Sequence, residues 1–475
     1  MNVPARVAHA GGLPGRPVET MPSTFPTPRR LVILGGGIGG TAVAKRLAND
    51  RRFEITLVDR QNHYVFQPLL YQVATAALGA GDIAVPIRHL VGDARNVAVL
   101  QAEVQGVRAH ARLVDTDAGS LPYDVLVVAT GVEASWFGRS DWESAAPSLK
   151  TLADATHVRA RVLSAFERAE ATPDPVERAR LMTFVVVGGG PTGAELAGAL
   201  AELAHDALAH EFRRIDPRQA RIVLAEAGPR LVPMFHPRLS ASATDDLRAR
   251  GVEVRLDARV TELNEDGVAL GPKWIPAANV IWAAGVRASP LGATLPAERD
   301  ALGRVQVEAD CSLPGHPNVF VIGDLAHWKA PGDVEALPSV GGVALQQAHH
   351  VARLIRGDVT GRPRRPFAYF DRGQMATIGR NHAIAEIRRL RFAGRFAWWL
   401  WLGVHIVFLA GFRNRLTVML HWAWSYVTYE RGSRLILVPT RGRRGDARGA
   451  APPRPESPPE AGLATARTPH PEARR

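Results

Sequence analysis

Sulfur chemistry is almost missing from this chain. Its 475 residues include a single cysteine, Cys311. No disulfide can form within the chain, no Cys-x-x-Cys redox pair exists, and no cysteine-rich zinc or iron–sulfur site can be assembled. Enzymes that reduce disulfides, or oxidise sulfide through paired thiols, need groups this chain lacks. Targeting features are also missing. Residues 1–28 hold no apolar core of the length a secretory signal needs, and they are not rich enough in Arg and Ser for a transit peptide. The segment is rich in Pro, Gly and Ala and reads as a disordered tail on a cytoplasm-facing protein, with Met21 as an alternative start.

Acidic residues are outnumbered, 46 against 58 basic ones, which gives a net charge of +12 and a pI near 10.6. Nucleic acid is the reflex partner for such a balance. The surplus, however, gathers in the tails and around a Trp-rich segment near residue 400. That distribution fits an acidic lipid surface better, and no nucleic-acid partner is expected. A hydrophobic fraction of 46% supplies ordinary cores, and the length suits two to four domains.

What the chain does have is glycine, 44 residues of it, and two turns are built from it. Leu31-Val32-Ile33-Leu34 runs into Gly35-x-Gly37-x-x-Gly40. Phe184-Val185-Val186-Val187 runs into Gly188-x-Gly190-x-x-Gly193. Each motif follows a buried-strand pattern, opens a small-residue helix and is followed by a second strand ending in an acid: Asp59 in the first case, Glu226 in the second. A turn of this kind suits a pyrophosphate. The first Gly permits the sharp bend, the second lets the ligand touch bare backbone, the third lets helix and strand pack closely, and the helix N-terminus offers free N–H groups. Two such cradles suggest two dinucleotides, with electrons passing between them.

The acids fit that reading. Asp59 lies about 20 residues beyond Gly40, where a carboxylate grips a ribose. Glu226 would repel a 2′-phosphate, so a nicotinamide in the second site would be NADH rather than NADPH, with Arg230 nearby weakening the preference. A strand over Tyr123–Val128 ends in Ala129-Thr130-Gly131. Its echo, Asn279–Trp282, ends in Ala283-Ala284-Gly285. Both are small-residue stretches where backbone must approach something closely. Gly323-Asp324, after another strand, places an acid where it can bond the ribityl hydroxyls of a flavin. A helix over about Gly342–Ile355 starts at Gly341-Gly342, with its dipole available to a reduced flavin. Residues 150–180 read as an Arg-rich helical stretch, and 366–390 as mixed strand and loop.

The order of these motifs resembles the two-dinucleotide-domain flavoprotein reductases, and more narrowly the type II NADH dehydrogenases, which are single-subunit NADH:quinone oxidoreductases. The matching stretches are Gly35–Gly40, Asn62-His-Tyr-Val-Phe-Gln-Pro-Leu-Leu-Tyr-Gln-Val-Ala74, Gly188-Gly-Gly-Pro-Thr-Gly-Ala-Glu-Leu-Ala197, Gly323-Asp324 and Met375-Ala-Thr-Ile-Gly-Arg380. The resemblance runs from about Arg30 to Leu437. It implies FAD in the first domain, NADH in the second, a membrane quinone as the final acceptor, no proton pumping, and a homodimer. It puts Glu195 beside the reacting rings, in substrate binding or proton handling, although a helix N-terminus favours Glu without any such role. The family's quinone motif, Ala-Gln-x-x-x-Gln, reads here as Gly341-Gly342-Val-Ala-Leu-Gln346, followed by Gln347. The first Gln is replaced by Gly342, so quinone contact rests on Gln346 or Gln347, and either could equally be a core-edge glutamine.

The expected fold is α/β: two Rossmann-like domains with a C-terminal membrane-associating helical segment. The expected organisation is a tail over 1–28, an FAD domain over 29–150 and 289–365, an NADH domain over 151–288, a membrane-anchoring region over 366–438 and a second tail over 439–475. Phe396–Phe412 is a 17-residue apolar run whose one ionisable group is His405. As a helix it reaches roughly 25 Å, short of a hydrocarbon core of about 30 Å. Basic residues flank it and Trp398, Trp399, Trp401, Trp422 and Trp424 surround it, so it lies in one leaflet; the alternatives are that it spans or that it is a buried core or dimer helix. The expected location is the cytoplasmic face of the cell membrane. Two rival functions stay open: a soluble flavin-dependent reductase of a protein partner, and an NADH-sensing flavoprotein with little turnover.

Overall fold

The wholly apolar run Leu31–Leu34 has almost no exposed surface, as a strand covered on both faces requires. In the computed structural model, which describes residues 27–436 apart from 331, 334, 410, 411, 429 and 430, it forms the inner end of β1 (Arg29–Leu34). That strand leads through α1 (Ile38–Leu47) to β2 (Phe53–Asp59), parallel to β1 with Leu31 opposite Ile55. A short helix, α2 (Leu70–Ala74), follows. β3 (Val97–Gln101) then joins the far side of β2, and β4 (Val125–Val128) the far side of β1.

The chain next leaves this sheet. α3 (Leu152–Ala171) opens on a capping box between Thr151 and Asp154. The stretch expected to be helical over 150–180 breaks after it, because Asp174 caps a new start at Pro175. A second glycine-turn unit follows: β5 (Thr183–Val187), α4 (Pro191–Glu202) and β6 (Arg221–Ala225). With β7 (Val252–Arg255) and β8 (Asn279–Trp282) these strands make a parallel sheet in the order β7-β6-β5-β8.

The chain then returns to the first sheet. β9 (Ser312–Leu313) and β10 (His316–Val321) complete it in the order β9-β10-β4-β1-β2-β3, with β10 parallel to β4. α5 (Gly341–Val359) packs against α1 and runs past the expected Ile355. Residues 366–390 are mixed loop and strand, as the sequence suggests: 366–373 are irregular and strands follow. They contribute to an antiparallel sheet of β11 (Gln374–Gly379), β12 (His382–Ile387) and β13 (Leu390–Ala393).

The long apolar run is divided between two helices, α6 (Gly394–Phe408) and α7 (Phe412–Thr428). No described helix is long and apolar enough to cross a membrane. The 15 residues of α6 rise about 22 Å. The pair is two-faced: Ala397, Trp401 and Val418 are buried, while Phe396, Trp399, Val407, Leu420 and Trp424 are exposed. Residues 1–26 and 437–475, and the tail assignments that fall on them, lie outside the described residues.

Candidate active site

Both glycine turns have the same geometry. Gly35 sits at φ +100° and Gly188 at φ +110°, each in the left-handed range that favours glycine. The Gly35 N–H bonds to the Val58 carbonyl at 2.8 Å, and the Gly188 N–H to the Ala225 carbonyl at 2.8 Å. A side chain on Gly40 would collide with the Gly35 carbonyl oxygen, and one on Gly193 with that of Gly188. Gly37 and Gly190 differ from these: a Cβ on either would meet nothing within 4 Å. The two middle glycines therefore face open space at a helix N-terminus, where a bound phosphate belongs.

Asp59 Oδ2 accepts from the Gly36 N–H at 2.6 Å, and Oδ1 from the Gln61 N–H at 2.7 Å. Glu226 Oε2 accepts from Gly189 at 2.6 Å, and Oε1 from Gly228 at 2.7 Å. Each acid holds its glycine turn and keeps further lone pairs for a ribose hydroxyl. Arg230 is engaged elsewhere, donating to the carbonyls of Pro233 at 2.6 Å and Phe235 at 3.2 Å. Ala283 and Ala284 pack against Gly188, and Gly285, at φ +77°, carries the Phe137 ring against its Cα.

A cavity of about 810 Å³ opens from the first cradle. Gly35, Gly37, Ala129, Thr130, Gly131, Lys150, Asp324 and Gly341 all line it. Burial pushes the Asp324 carboxyl up, and the Lys150 ammonium draws it back down. Thr130 Oγ1 is buried without a partner among the described residues. Open glycine amides, a helix N-terminus, a cation, an acid and an unbonded hydroxyl form a donor and acceptor set that fits a flavin dinucleotide.

A second cavity, about 460 Å³, lies between α2, α4 and the α6–α7 pair. Its walls are largely aromatic and apolar: Trp398, Trp401, Leu402, Met419, Trp422 and Tyr426. Glu195, Tyr71, Gln72 and Thr75 supply polar groups. Desolvation pushes Glu195 up to about 8, and the Thr377 N–H, at 3.4 Å, opposes it only weakly. Glu195 is only partly exposed, and it lines this cavity. α4 starts at Pro191, so Glu195 is its fifth residue and belongs to the second turn, not the first. Helix-terminal electrostatics therefore explains it poorly, since that effect fades within one turn.

Gln346 and Gln347 do not join Glu195. Gln346 pairs both ends of its amide with the Phe370 backbone, donating at 2.9 Å and accepting at 3.0 Å. Gln347 is buried and accepts from the Gly323 N–H at 2.7 Å, which ties α5 to Asp324. Neither lines the apolar cavity, and Gly342 stands near Tyr369 instead.

Sequence reasoning passed over other residues. Tyr71 and Gln72 sit inside the Asn62–Ala74 motif, so the signal was there without a role attached. Arg431 carried no signal at all. It is 7% exposed, donates to the carbonyls of Thr75 at 2.7 Å and Ala199 at 3.3 Å, and pairs with Glu202 at 3.4 Å. The Met375–Arg380 motif is explained by close packing: the Ile378 carbonyl passes so near Gly198 that a Cβ there would strike it.

Two glycine cradles in one chain, with a large cavity opening from the first, define the two-dinucleotide reductase class. Residues 29–351 match the family described as pyridine nucleotide-disulphide oxidoreductase. The chain is similar to two type II NADH:quinone oxidoreductases of Mycobacterium tuberculosis. It is 42% identical to NdhA over 433 residues, 87% of this chain and 91% of that protein. It is 41% identical to Ndh over 427 residues, 86% of this chain and 91% of that protein. Its fold matches the structure of NDH2 from Plasmodium falciparum in complex with NADH, with a TM-score of 0.77 at 19% identity, over 85% of this chain and 99% of that one. The chain belongs to the type II NADH:quinone oxidoreductase family. The disulphide chemistry in the wider family's description does not extend to it, because Cys311 is alone, buried and pushed up by desolvation.

Proposed function

We propose that this protein is a non-proton-pumping, FAD-dependent NADH:quinone oxidoreductase: NADH + H⁺ + quinone → NAD⁺ + quinol. The observation that carries the reading is the apolar cavity. It is built by the Trp-rich helices on one side and by the helix of the second cradle on the other, and its polar residues include a carboxyl group that is mostly protonated at neutral pH. FAD, bound at the first cradle, supplies two-electron chemistry between a nicotinamide and a quinone. The chain's own residues do the rest. Gly35–Gly40 and Asp59 hold one dinucleotide, with Ala129–Gly131, Asp324 and the start of α5 along its length. Gly188–Gly193, Glu226 and the Ala283–Gly285 turn hold the other. Trp398, Trp401 and Trp422 exclude water from the acceptor, and Glu195 is the group able to hand over a proton there.

The exposed apolar face of α6 and α7, flanked by Arg388, Arg389, Arg391, Arg395, Arg413 and Arg415, suits a helix pair lying in one leaflet of an anionic membrane at its cytoplasmic face. Replacing both Phe396 and Leu420 by Glu should cut binding to anionic vesicles about tenfold or more. The homodimer implied by the family is read out by light scattering of the detergent-solubilised enzyme. The activity itself is tested by steady-state NADH oxidation with a soluble quinone. A flavin reduced by NADH that quinones fail to reoxidise would sink the assignment and favour a protein acceptor or a sensing role.

A further inference from the structure

Tyr71 and Gln72 are neighbours on α2, and both line the apolar cavity. Their hydrogen bonds leave one proton unassigned. The indole Nε1–H of Trp422, on α7, donates to the Gln72 amide at 2.8 Å. An indole nitrogen only donates, so the atom it meets must be the amide oxygen. The other end of that amide is then the NH₂ group, and it faces Tyr71 Oη at 2.8 Å. An amide NH₂ also only donates. Tyr71 Oη is therefore the acceptor in this pair, and its own O–H must point elsewhere. No described residue accepts that proton. The Tyr71 side chain is 6% exposed. Burial, with the Glu195 carboxylate adding to it, holds the phenol well above its ordinary range, so the O–H stays intact at any working pH.

A buried hydroxyl with an uncommitted proton, beside a slot walled by indole rings, is matched by a flat ring bearing carbonyl oxygens. We propose that Tyr71 O–H donates a hydrogen bond to a carbonyl oxygen of the quinone, and that Gln72 and Trp422 are positioning residues that aim it. The assignment rests on the quinone reductase reading given above. Reducing the quinone places negative charge on its oxygens, and a donor already in place there stabilises that charge without reorganisation. Tyr71 lends its proton without giving it up. In the balanced reaction the second proton of the quinol comes from water, and Glu195, close to 8, is the group suited to pass it on. The arrangement also links the reaction to the membrane-facing helices. Gln72 is oriented by a residue of α7, so the seating of that helix sets the direction of the Tyr71 O–H.

The test uses the flavin-loaded enzyme and follows its two half-reactions separately by stopped-flow absorbance. Tyr71→Phe should slow reoxidation by a soluble short-chain quinone on the order of tenfold to a hundredfold, while flavin reduction by NADH stays within about twofold. Trp422→Phe keeps an aromatic wall but removes the N–H, which frees the Gln72 amide to turn and accept the Tyr71 proton itself. Reoxidation should fall by roughly three- to tenfold in that variant, again with reduction spared. Wild-type reoxidation in Tyr71→Phe overturns the proposal, as does an equal loss in both half-reactions, which would mark a structural role. A wild-type enzyme that quinone cannot reoxidise overturns the parent reading instead.

Discussion

Asp59 and Glu226 make one contact twice: each carboxylate accepts, at 2.6 Å, the N–H of the residue after the first glycine of its own motif, Gly36 or Gly189. The side chains differ in length by a methylene, yet the bond is the same, because each acid sits at or just past the end of the strand beside its cradle. Glu226→Ala removes both a charged hydrogen bond to the turn and the partner proposed for the nucleotide ribose. The apparent KM for NADH should rise about tenfold or more, with a smaller change in kcat at saturating NADH. Steady-state kinetics decide this, and an unchanged KM would remove the assignment of the second site.

The glycines of each cradle should separate folding from binding. Gly37→Ala and Gly190→Ala place a methyl group in open space, at φ −74° and −70° where alanine is unstrained. Both variants should fold normally, the first losing flavin affinity and the second NADH affinity. Gly40→Ala and Gly193→Ala push a methyl group into a carbonyl oxygen and should fail to give soluble protein. Circular dichroism, together with flavin retention on a desalting column, distinguishes the two outcomes. Tight flavin binding by Gly37→Ala would mean that the first cradle does not hold the pyrophosphate.

Glu195 should leave its mark on pH dependence. Its folded pKa, about 8, is raised above the ordinary glutamate range. Its contribution to stability is therefore fully present in acid, below about 4.3, and is lost as pH climbs through about 8. Glu195→Gln removes the titration. The variant's melting temperature relative to wild type should rise between roughly pH 4.3 and 8, then level off. In the wild type, quinone-dependent reoxidation should fall with an apparent pKa near 8, and that step should vanish from the variant's profile. Parallel profiles would take Glu195 out of the chemistry.

Arg431 should matter for stability far more than its position near the end of the described chain suggests. Arg431→Met leaves the carbonyls of Thr75 and Ala199 short of a donor and removes one of the cations beside Glu202. A loss of about 3 kcal/mol is expected for breaking a buried pair of this kind, read as a lower urea midpoint at unchanged slope. Arg431→Lys should recover only part of it, because one ammonium cannot match the reach of a guanidinium. A loss below about 0.5 kcal/mol would mean the contacts are not formed in solution.

Much of this was legible in the sequence, and for a physical reason. Parallel strands buried on both faces need unbroken apolar runs, and pyrophosphate turns need glycine at fixed spacing. Leu31–Gly40 and Phe184–Gly193 therefore state their structure locally. The small antiparallel units, Val104–Pro122 and Val260–Pro276, do not. Their strands are short, all but Gly267–Leu270 are partly exposed, and their pairing is set by what they pack against. The candidate site divides the same way. Glycine and acid positions at the cradles follow from spacing. The cavity residues Tyr71, Gln72, Trp422 and Arg431 meet only through tertiary packing, and no local pattern announces that. Gln346 and Gln347 show the converse. Their motif resemblance pointed to a ligand, whereas their amides bond to the main chain at Phe370 and Gly323.

The Trp-bearing helix pair is stitched down along both hems. Before it comes β13, hydrogen-bonded along β12, and after it comes Arg431, threaded beneath α4. Fastened at both edges, the pair is tied down on each side of the cavity it covers. It follows that a purification tag added beyond Ile436 leaves the second hem in place, whereas trimming the chain back to Thr428 unpicks it and lets the greasy lining open to water.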